Sequence, residues 1–241
     1  MMIDILKKSF KSKIWRLFSN NFLNIELSKL LAPRIFLSNI KNHNFNIENI
    51  YNYAKKNPDT KWNMPSGAYQ SNHDLQGNKD FFELKKAIEN HLNLEVKKKI
   101  FKKKTIGKFR VKSMWFVIMK ENTDHHMHLH PKSALSGVMY LKLDKPNASS
   151  ALKILVPNLN LDKYSLDIFG YSTSTFNDDF FKEKTELNSN NKNHFLDKKI
   201  YEFIPSENDM IIFNSYMYHW VDRYSGEEDR ISLAWDAIYT I

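Results

Sequence analysis

The sequence predicts a mainly β protein, a sandwich or barrel of short strands with helices supporting it from outside. Helical spacing of apolar residues is found mainly before residue 106. After that point, short runs of β-branched and aromatic residues are separated by turn-forming residues. The 241 residues, 42% hydrophobic and 14% aromatic, are also enough to bury one sizeable core. Helices followed by many strands therefore favour a single β-rich domain.

The first element is a basic N-terminal extension, residues 1–31, which precedes the predicted domain at residues 32–241. Its apolar residues recur at helical spacing with lysines between them, the pattern of an amphipathic helix: Ile3, Leu6, Phe10, Ile14 and Leu17. Such a helix can bind a membrane surface or a partner. We favour the interpretation that it covers the protein's own core.

A strand, two helices and a loop are predicted next. "RIFLSNI" has the composition of a short strand, and "NIENIYNYAKKN" predicts a helix that Asn46 or Asn49 can cap. "MPSGAYQS" supplies the loop. A second long helix is predicted for "DFFELKKAIENHLNLEVKKKI", whose apolar stripe contains Phe82, Leu84, Ile88 and Leu92.

Seven later runs have strand composition and are bounded by turn signals. They are "KFRVKSMWFVIMK", "LSGVMYLKL", "ALKILV", "KIYEFI", "DMIIF", "YMYHWV" and "RISLAWDAIY". A polar segment at residues 158–198 interrupts them and has little periodicity. Loops of that length in compact domains are commonly lids or insertions, so we expect an insertion there.

Composition limits the possible chemistry and location. The chain has no cysteine, which excludes disulfides and thiolate zinc sites, so any metal must be held by His, Asp or Glu. The longest apolar run, Met114 to Met119, is far shorter than the roughly 20 residues of a membrane span. We therefore expect a cytoplasmic protein.

Charge is distributed unevenly along the chain. Residues 1–112 carry 23 Lys and Arg against 9 Asp and Glu, a net charge of +14, whereas residues 113–241 carry −5. In the basic run at 97–104, lysines alternate with Phe101 and, further on, Phe109, so nucleic acid or an anionic membrane is a possible partner. A solvated face, or lysines that protect a strand edge, is the interpretation that we favour.

The segment "DHHMHLHP", residues 124–131, holds four histidines. Because residues two apart on a strand face the same side, His128 and His130 can reach one metal ion from a strand end. His219, in a later strand with aromatic neighbours, is the best candidate for a third ligand. We expect His125 to face away as a surface residue and His126 to lie on the substrate side. His43 and His194, in polar segments, are predicted to be surface histidines.

Arg230 is a candidate for binding a carboxylate near the proposed metal ligands. It follows His219 by 11 residues, begins a predicted strand, and has Ser232 two residues on, facing the same way. A guanidinium beside a metal can bind the far carboxylate of a chelating molecule through both its N–H groups. Three ligands on one face of an ion leave positions open for such a molecule and for dioxygen, an arrangement known from non-haem iron enzymes.

These motifs carry a resemblance. "HLHPKSALSGVMYL", followed at long range by "PSENDMIIFNSYMYHWVDRYSGEEDRISLAWD" and preceded by "GAYQS", resembles the iron(II)- and 2-oxoglutarate-dependent oxygenases, specifically a branch with an HxHP...LSGVYYL signature. The resemblance implies a double-stranded β-helix, or jelly roll, with helices packed on one sheet. It implies Fe(II) bound by His128 and His219, and 2-oxoglutarate bound by Arg230 and Ser232. The implied reaction is hydroxylation of an unidentified substrate with release of succinate and CO2.

The third ligand departs from most of that superfamily, which has Asp or Glu two residues after the first histidine. Here the position is His130, and a neutral third ligand leaves the site more positive by one charge. Either all three histidines bind the metal, or His130 only lies nearby and water or Asp124 completes the set.

Aromatic residues of the predicted strands can line the site or only fill the core. The candidates for lining it are Trp115, Tyr140, Phe213, Trp220 and Trp235. Two other functions stay open. One is a three-histidine cupin-like metalloenzyme that does not use 2-oxoglutarate, and the other is a basic binding module on an inactive oxygenase fold.

Overall fold

The fold is a pair of antiparallel sheets, described by a computed structural model for residues 30, 32–40, 45–102, 105–144, 151–156 and 199–241. The larger sheet has six strands in the order β1-β8-β5-β10-β3-β2. Its strands are β1 (Ile35–Asn39), β2 (Tyr69–Gln70), β3 (Lys108–Met119), β5 (Leu135–Lys142), β8 (Asp209–Asn214) and β10 (Arg230–Thr240).

The smaller sheet has four strands in the order β4-β9-β6-β7. Its strands are β4 (His125–His128), β6 (Leu152–Val156), β7 (Lys199–Phe203) and β9 (His219–Val221). From β3 onward the chain alternates between the two sheets, except that β6 and β7 are consecutive strands of the smaller sheet. This pattern makes a jelly roll, and the prediction of a mainly β fold with supporting helices is confirmed.

The helices precede β3 and cover the outer face of the larger sheet. They are α1 (Glu48–Lys56), α2 (Phe82–His91), a π-helical turn (Leu92–Val96) and α3 (Lys97–Phe101), with 3-10 turns at Leu75–Gly77 and Lys79–Phe81. The Asn46 side chain accepts a hydrogen bond from the Glu48 N–H at 3.0 Å, so it satisfies one free donor at the start of α1.

Two hydrophobic clusters lie on opposite faces of the larger sheet. On β3, Met114, Phe116 and Ile118 pack with the helices, whereas Trp115 and Val117 face the smaller sheet. Because both faces of this strand are buried, its sequence is a continuous apolar run. Alternate residues of β3 and β10, such as Trp115 and Ala234, face the space between the two sheets, where a site can form.

The second predicted helix differs from expectation. It is divided into α2, a π-helical turn and α3. Phe82, which we predicted in the apolar stripe, is 51% exposed, whereas Leu84 and Ile88 are buried as expected. The reason is spacing: the buried stripe runs through Phe81, Leu84, Ile88 and Leu92, three or four residues apart, so Phe82 falls outside it.

Phe101 and Phe109 also differ from the nucleic-acid hypothesis. Both side chains are 1% exposed, and both rings pack against Tyr239 in the helix-side cluster. They cannot stack on bases, so the hypothesis loses its aromatic component.

Several predictions concern residues outside those described. The N-terminal extension (apart from Leu30), the insertion at 158–198, and the surface positions of His43 and His194 lie there. Among the helices that are described, none is both long and apolar enough to cross a bilayer.

Candidate metal and co-substrate site

A β-bulge positions the histidines of β4. His125 pairs with Val221 and His128 pairs with His219, so three steps along β4 correspond to two steps along β9. The extra residue cancels the usual alternation, because a bulge re-aims the side chains around it. As a result His125 and His128 both face the interior, and His126 and Met127 between them are exposed.

Three imidazoles converge between the sheets. One ring nitrogen from each of His128, His130 and His219 lies within 4.8 Å of the others. The Nε2 atoms of His130 and His219 are 3.2 Å apart, and the His128 ring lies 4.2 Å from the His219 ring between centroids. Two nitrogens at right angles around an ion with bonds of about 2.1 Å would lie roughly 3 Å apart. The spacing therefore suits a shared ion.

Hydrogen bonds at the other ring nitrogen orient each of these histidines. His128 Nδ1 lies 2.7 Å from the His126 carbonyl oxygen, and His219 Nδ1 lies 3.0 Å from the Met217 carbonyl oxygen. His130 Nδ1 lies 3.2 Å from Asp236 Oδ2. All three partners are acceptors, so each Nδ1 is assigned the proton and each Nε2 keeps a free lone pair. Lone pairs that face each other repel unless a cation lies between them, and metal-bound histidines are held in this way.

Burial keeps two of these rings neutral. It lowers the pKa of His128 to about 4 and holds the pKa of His219 well below its usual value, and the neighbouring histidines lower both further. Neutral imidazole is the form that binds a metal. These two rings can therefore accept an ion at neutral pH without first losing a proton.

Asp236 is a site residue that we did not identify from the sequence. Its Oδ1 accepts a hydrogen bond from Ser136 at 2.6 Å, and its Oδ2 lies near Ser113 at 3.3 Å and His130. The signal was present, because Asp236 interrupts an apolar strand and shares the parity of Arg230 and Ser232. Asp236 thus lies behind His130, at the ring nitrogen opposite the one that faces His219.

Arg230 occupies the other end of the site. Its side chain is 2% exposed and lies over the Tyr140 ring, with Cζ 5.1 Å from the ring centroid. One guanidinium nitrogen contacts Ser232 Oγ at 3.4 Å and Met119 Sδ at 3.5 Å. Burial lowers its pKa, yet a guanidinium stays charged in proteins. No carboxylate pairs with it among the described residues, so this buried cation lacks a counterion.

One pocket joins the two ends. Its walls include Trp115, Phe213, Trp220 and Ser136 as well as the triad and Arg230. Three buried N–H groups of residues that line it have no hydrogen-bond partner in the described structure: Arg230 Nε, Trp115 Nε1 and Trp235 Nε1. All three can donate, so the pocket suits a ligand rich in acceptor oxygens.

The other predicted site residues take different positions. Trp115 stacks on His130 with ring centroids 5.3 Å apart, and Tyr140 lies beneath Arg230. Trp220 borders the pocket, but its indole N–H donates to Asp222 at 3.0 Å. Trp235 also borders the pocket, yet it packs in the helix-side cluster and lies over Gly137.

His126 and Asp124 lie apart from the triad. The His126 side chain is 68% exposed and its Nδ1 is 3.3 Å from Asp124 Oδ1. The structure therefore does not bring His126 into the pocket, contrary to its expected place on the substrate side. Asp124 is not a member of the convergent group either.

The expectation for His125 was wrong. Its ring lines the pocket and stacks on His128, with centroids 4.3 Å apart and an interplanar angle of 21°. The physical reason is the bulge in β4, which sequence parity does not reveal.

An aromatic column adjoining the triad was also missed. His73 stacks between Trp62 and Trp115 at centroid distances of 4.4 and 4.0 Å, and its Nε2 lies 2.7 Å from Gln70 Nε2. Burial lowers the pKa of His73 to about 4. The "GAYQS" loop ends two residues before His73, and its Gln70 contacts the His73 ring, so the loop adjoins the wall of the site behind Trp115.

Comparisons with known proteins agree with this arrangement. A family model described as "Putative 2OG-Fe(II) oxygenase" matches residues 113–236, just over half of the chain. This range contains the triad, Asp236, Arg230 and Ser232. A comparison with curated proteins finds no match.

One solved structure shares the fold at low sequence identity, and a second is similar with a TM-score just below 0.5. HygX from Streptomyces hygroscopicus, in a structure with nickel, 2-oxoglutarate and hygromycin B bound, is 10% identical, with 88% of this chain and 85% of that chain covered and a TM-score of 0.50. A prolyl-4-hydroxylase from Pseudomonas putida is 12% identical, covering 90% and 98%, with a TM-score of 0.49. At such identities the likeness concerns the fold alone.

Proposed function

Because the chain belongs to the 2OG-Fe(II) oxygenase family, we propose that it oxidises a substrate with iron(II) and 2-oxoglutarate as its reactive partners. The iron is held by His128, His130 and His219, and the far carboxylate of 2-oxoglutarate by Arg230 and Ser232. The substrate, which is unidentified, is hydroxylated, and succinate and CO2 are released.

One observation carries the proposal: a single pocket has three converging acceptor nitrogens at one end and a buried, uncompensated guanidinium at the other. An isolated buried charge is costly unless a partner arrives. A molecule that chelates a metal through one end and carries a carboxylate at the other satisfies both ends together. 2-Oxoglutarate has this shape and charge.

The donor set also suits iron(II). Three imidazole nitrogens leave open positions on a six-coordinate ion, and imidazole is a good ligand for iron. The negative charge absent from His130 is supplied by Asp236, which accepts the His130 N–H. Such a carboxylate raises the basicity of its histidine. The three histidines together with Asp236 therefore carry the same net charge as the commoner site of two histidines and one carboxylate.

The chain's own residues have separable tasks. When bound, iron(II) with 2-oxoglutarate and dioxygen supplies the oxidising chemistry. Arg230 orients the co-substrate through its planar N–H groups, which reduces the number of ways the co-substrate can lie. Trp115 and Phe213 wall the space beside the triad and exclude water. Asp236, with Ser136 and Ser113, holds the His130 ring in position.

The proposal is tested by binding before turnover. Anaerobic protein with Fe(II) should develop a weak visible charge-transfer band when 2-oxoglutarate is added, and on admission of air it should form succinate. Protein that binds Fe(II) tightly and gives neither band nor succinate would instead support the three-histidine enzyme that does not use 2-oxoglutarate. That alternative leaves Arg230 without a partner, which is why we place it second.

The basic binding module has its own test. Exposed lysines and arginines remain on the described surface, among them Lys98, Lys99, Lys108 and Arg110. Tight, strongly salt-dependent binding of single-stranded nucleic acid by protein that binds no Fe(II) would favour it. The burial of Phe101 and Phe109 argues against it.

A further inference from the structure

The aromatic column, made of Trp62, His73 and Trp115, connects the triad to the protein surface. At its inner end the rings of Trp115 and His130 have centroids 5.3 Å apart and an interplanar angle of 27°. Further out the rings are closer and nearly parallel. The centroid distances are 4.0 Å from Trp115 to His73 and 4.4 Å from His73 to Trp62, with angles of 12° and 15°. The stacked rings therefore form a continuous path from a proposed iron ligand to the surface.

The two indoles of the column differ in their contact with water. Trp115 is 2% exposed and its Nε1 has no hydrogen-bond partner in the described structure, whereas Trp62 is 41% exposed. Loss of one electron leaves an indole with a positive charge and an acidic N–H. At Trp115 that charge is buried and the proton has no acceptor, which is costly. At Trp62 water can solvate the charge and accept the proton, so the charge is more stable there.

Trp115 is also the ring beside the triad that gives up an electron most readily. Indole is oxidised by one electron far more easily than imidazole or a phenyl ring. Among the described residues, the other rings that stack on the triad from outside are His125 and Phe213. A one-electron oxidant at the triad would therefore react with Trp115 before these neighbours.

We propose that the aromatic column carries electrons from the surface to the triad when an oxidant forms there without a substrate, and that it thereby protects the metal ligands from oxidation. The inference rests on the proposed function, in which dioxygen and 2-oxoglutarate supply the oxidant. The oxidant takes one electron from Trp115, Trp115 takes one from Trp62, and Trp62 releases its indole proton to water. A one-electron reductant in solution, such as ascorbate, returns an electron to Trp62, which regains a proton from water.

The test locates the oxidised residues in the parent protein. Protein with Fe(II), 2-oxoglutarate and catalase is exposed to air without substrate or reductant, and its peptides are examined by mass spectrometry for added oxygen. We expect Trp62 to gain oxygen several-fold more often than Trp115. Met127 is the internal control, because it is readily oxidised, is 53% exposed and neighbours His128, yet lies outside the column. Met127 oxidised as often as Trp62 would indicate a diffusing oxidant and overturn the proposal.

Two variants at the outer end of the column change the result in opposite directions. Trp62→Phe keeps a ring that can stack on His73 but resists oxidation, so oxygen addition at Trp115 and at the triad should rise several-fold and succinate formation should stop sooner. Lys61 Nζ lies 5.0 Å from the centroid of the Trp62 ring and opposes a positive charge on it. Lys61→Met removes that cation and keeps the column, so the oxidised fraction of Trp62 should rise. A fall would contradict the proposal.

The outcomes separate the inference from the proposed function. A parent protein that forms no succinate would overturn the proposed function, and the inference with it. If the parent forms succinate but Trp62 gains no more oxygen than Trp115, only the inference fails. It also fails if Trp62→Phe loses activity at the parent's rate with no added oxidation at Trp115 or at the triad, because Trp62 would then be no more than an exposed side chain.

Discussion

The two faces of β10 are equally buried but chemically opposite. Toward the helices the strand presents Ile231, Leu233, Trp235 and Ala237, all in the helix-side cluster. Toward the smaller sheet the intervening residues are Arg230, Ser232, Ala234 and Asp236, none more than 9% exposed. Buried side chains of the same strand thus pack in the hydrophobic core on one face and supply polar groups to the pocket on the other.

The difference shows where the protein accepts an energetic cost. Buried polar groups are normally satisfied, and Asp236 is, through Ser136, Ser113 and His130. Arg230 has no such compensation, since its Nε is unpartnered and no carboxylate pairs with it in the described residues. We conclude that the helix side supplies stability and that the polar side is complete only with its ligands.

Replacing Arg230 by Met should have the largest effect. Methionine keeps much of the side-chain volume and removes the buried charge, so the free energy of unfolding of the ligand-free protein should stay the same or increase. The affinity of the metal-loaded protein for 2-oxoglutarate should fall by about a hundredfold or more, the cost of losing a buried charge pair. Urea unfolding and calorimetry measure the two quantities.

Arg110→Met is the matched control, because Arg110 is an exposed arginine on the neighbouring strand. It should change neither quantity appreciably. An Arg230→Met protein that unfolds more easily yet binds 2-oxoglutarate normally would reverse the roles that we assign to the two faces.

Leu233→Ala tests the opposite face. Leu233 is fully buried in the helix-side cluster, and its truncation should lower the free energy of unfolding by about 2–5 kcal/mol. Its side chain points away from the pocket, so folded protein should bind Fe(II) and 2-oxoglutarate with unchanged affinity. A loss of co-substrate affinity without a loss of stability would mean that the faces are not separable.

The alternation on β10 could be predicted from the sequence. Arg230 and Ser232 were assigned to one face because a regular strand places every second residue on the same side, and the structure has them there. The strands were predicted from their composition. The sequence motifs predicted that His219 lies close to His128. Each of these inferences depends only on regular geometry or on motifs.

The remaining features arise from irregular geometry or from contacts across sheets. The bulge in β4 turned His125 inward and His126 outward, against the parity that a regular strand predicts. Trp235 borders the pocket as expected, but its parity, opposite to that of Arg230, also places it in the helix-side cluster. The pairing of Asp236 with His130 joins residues more than a hundred positions apart, and no local pattern predicts it.

Asp236→Asn should have an intermediate effect. Loss of a carboxylate behind a metal-bound histidine typically costs 10–100-fold in metal affinity, and we expect a change of that size for Fe(II). A chelator competition under anaerobic conditions measures it. The stability of the metal-free protein should change less than in Leu233→Ala, since Asn can still bond to Ser136. An unchanged Fe(II) affinity would argue that His130 is not a ligand.

His130→Asp sharpens the same point. This substitution creates the commoner ligand set but brings a second carboxylate toward Asp236, so the two charges repel. We expect His130→Asp alone to bind Fe(II) poorly and His130→Asp combined with Asp236→Asn to recover binding. Equal affinities of the single and double variants would show that the two positions are not coupled.

The smallest effect is expected from His73, which lies behind the polar face. Its pKa is lowered by burial to about 4 in the folded protein, against an ordinary value of 6.5. Between these values the unfolded chain binds a proton that the folded protein does not, so stability should be lost as the pH falls from 6.5 toward 4. His73→Phe keeps a ring between Trp62 and Trp115 and should remove a part of that loss, on the order of 1 kcal/mol for a half-buried ring.

Urea unfolding of the metal-free protein at pH 7.5 and 4.5 gives the measurement, and the quantity compared is the loss between the two pH values. His73→Phe also takes an acceptor from Gln70, so its stability at pH 7.5 can be lower without bearing on the prediction. His128, with a pKa also lowered to about 4, titrates in both proteins and cancels in the comparison. If His73→Phe loses as much unfolding free energy between pH 7.5 and 4.5 as the parent does, the acid sensitivity arises from the triad and not from His73.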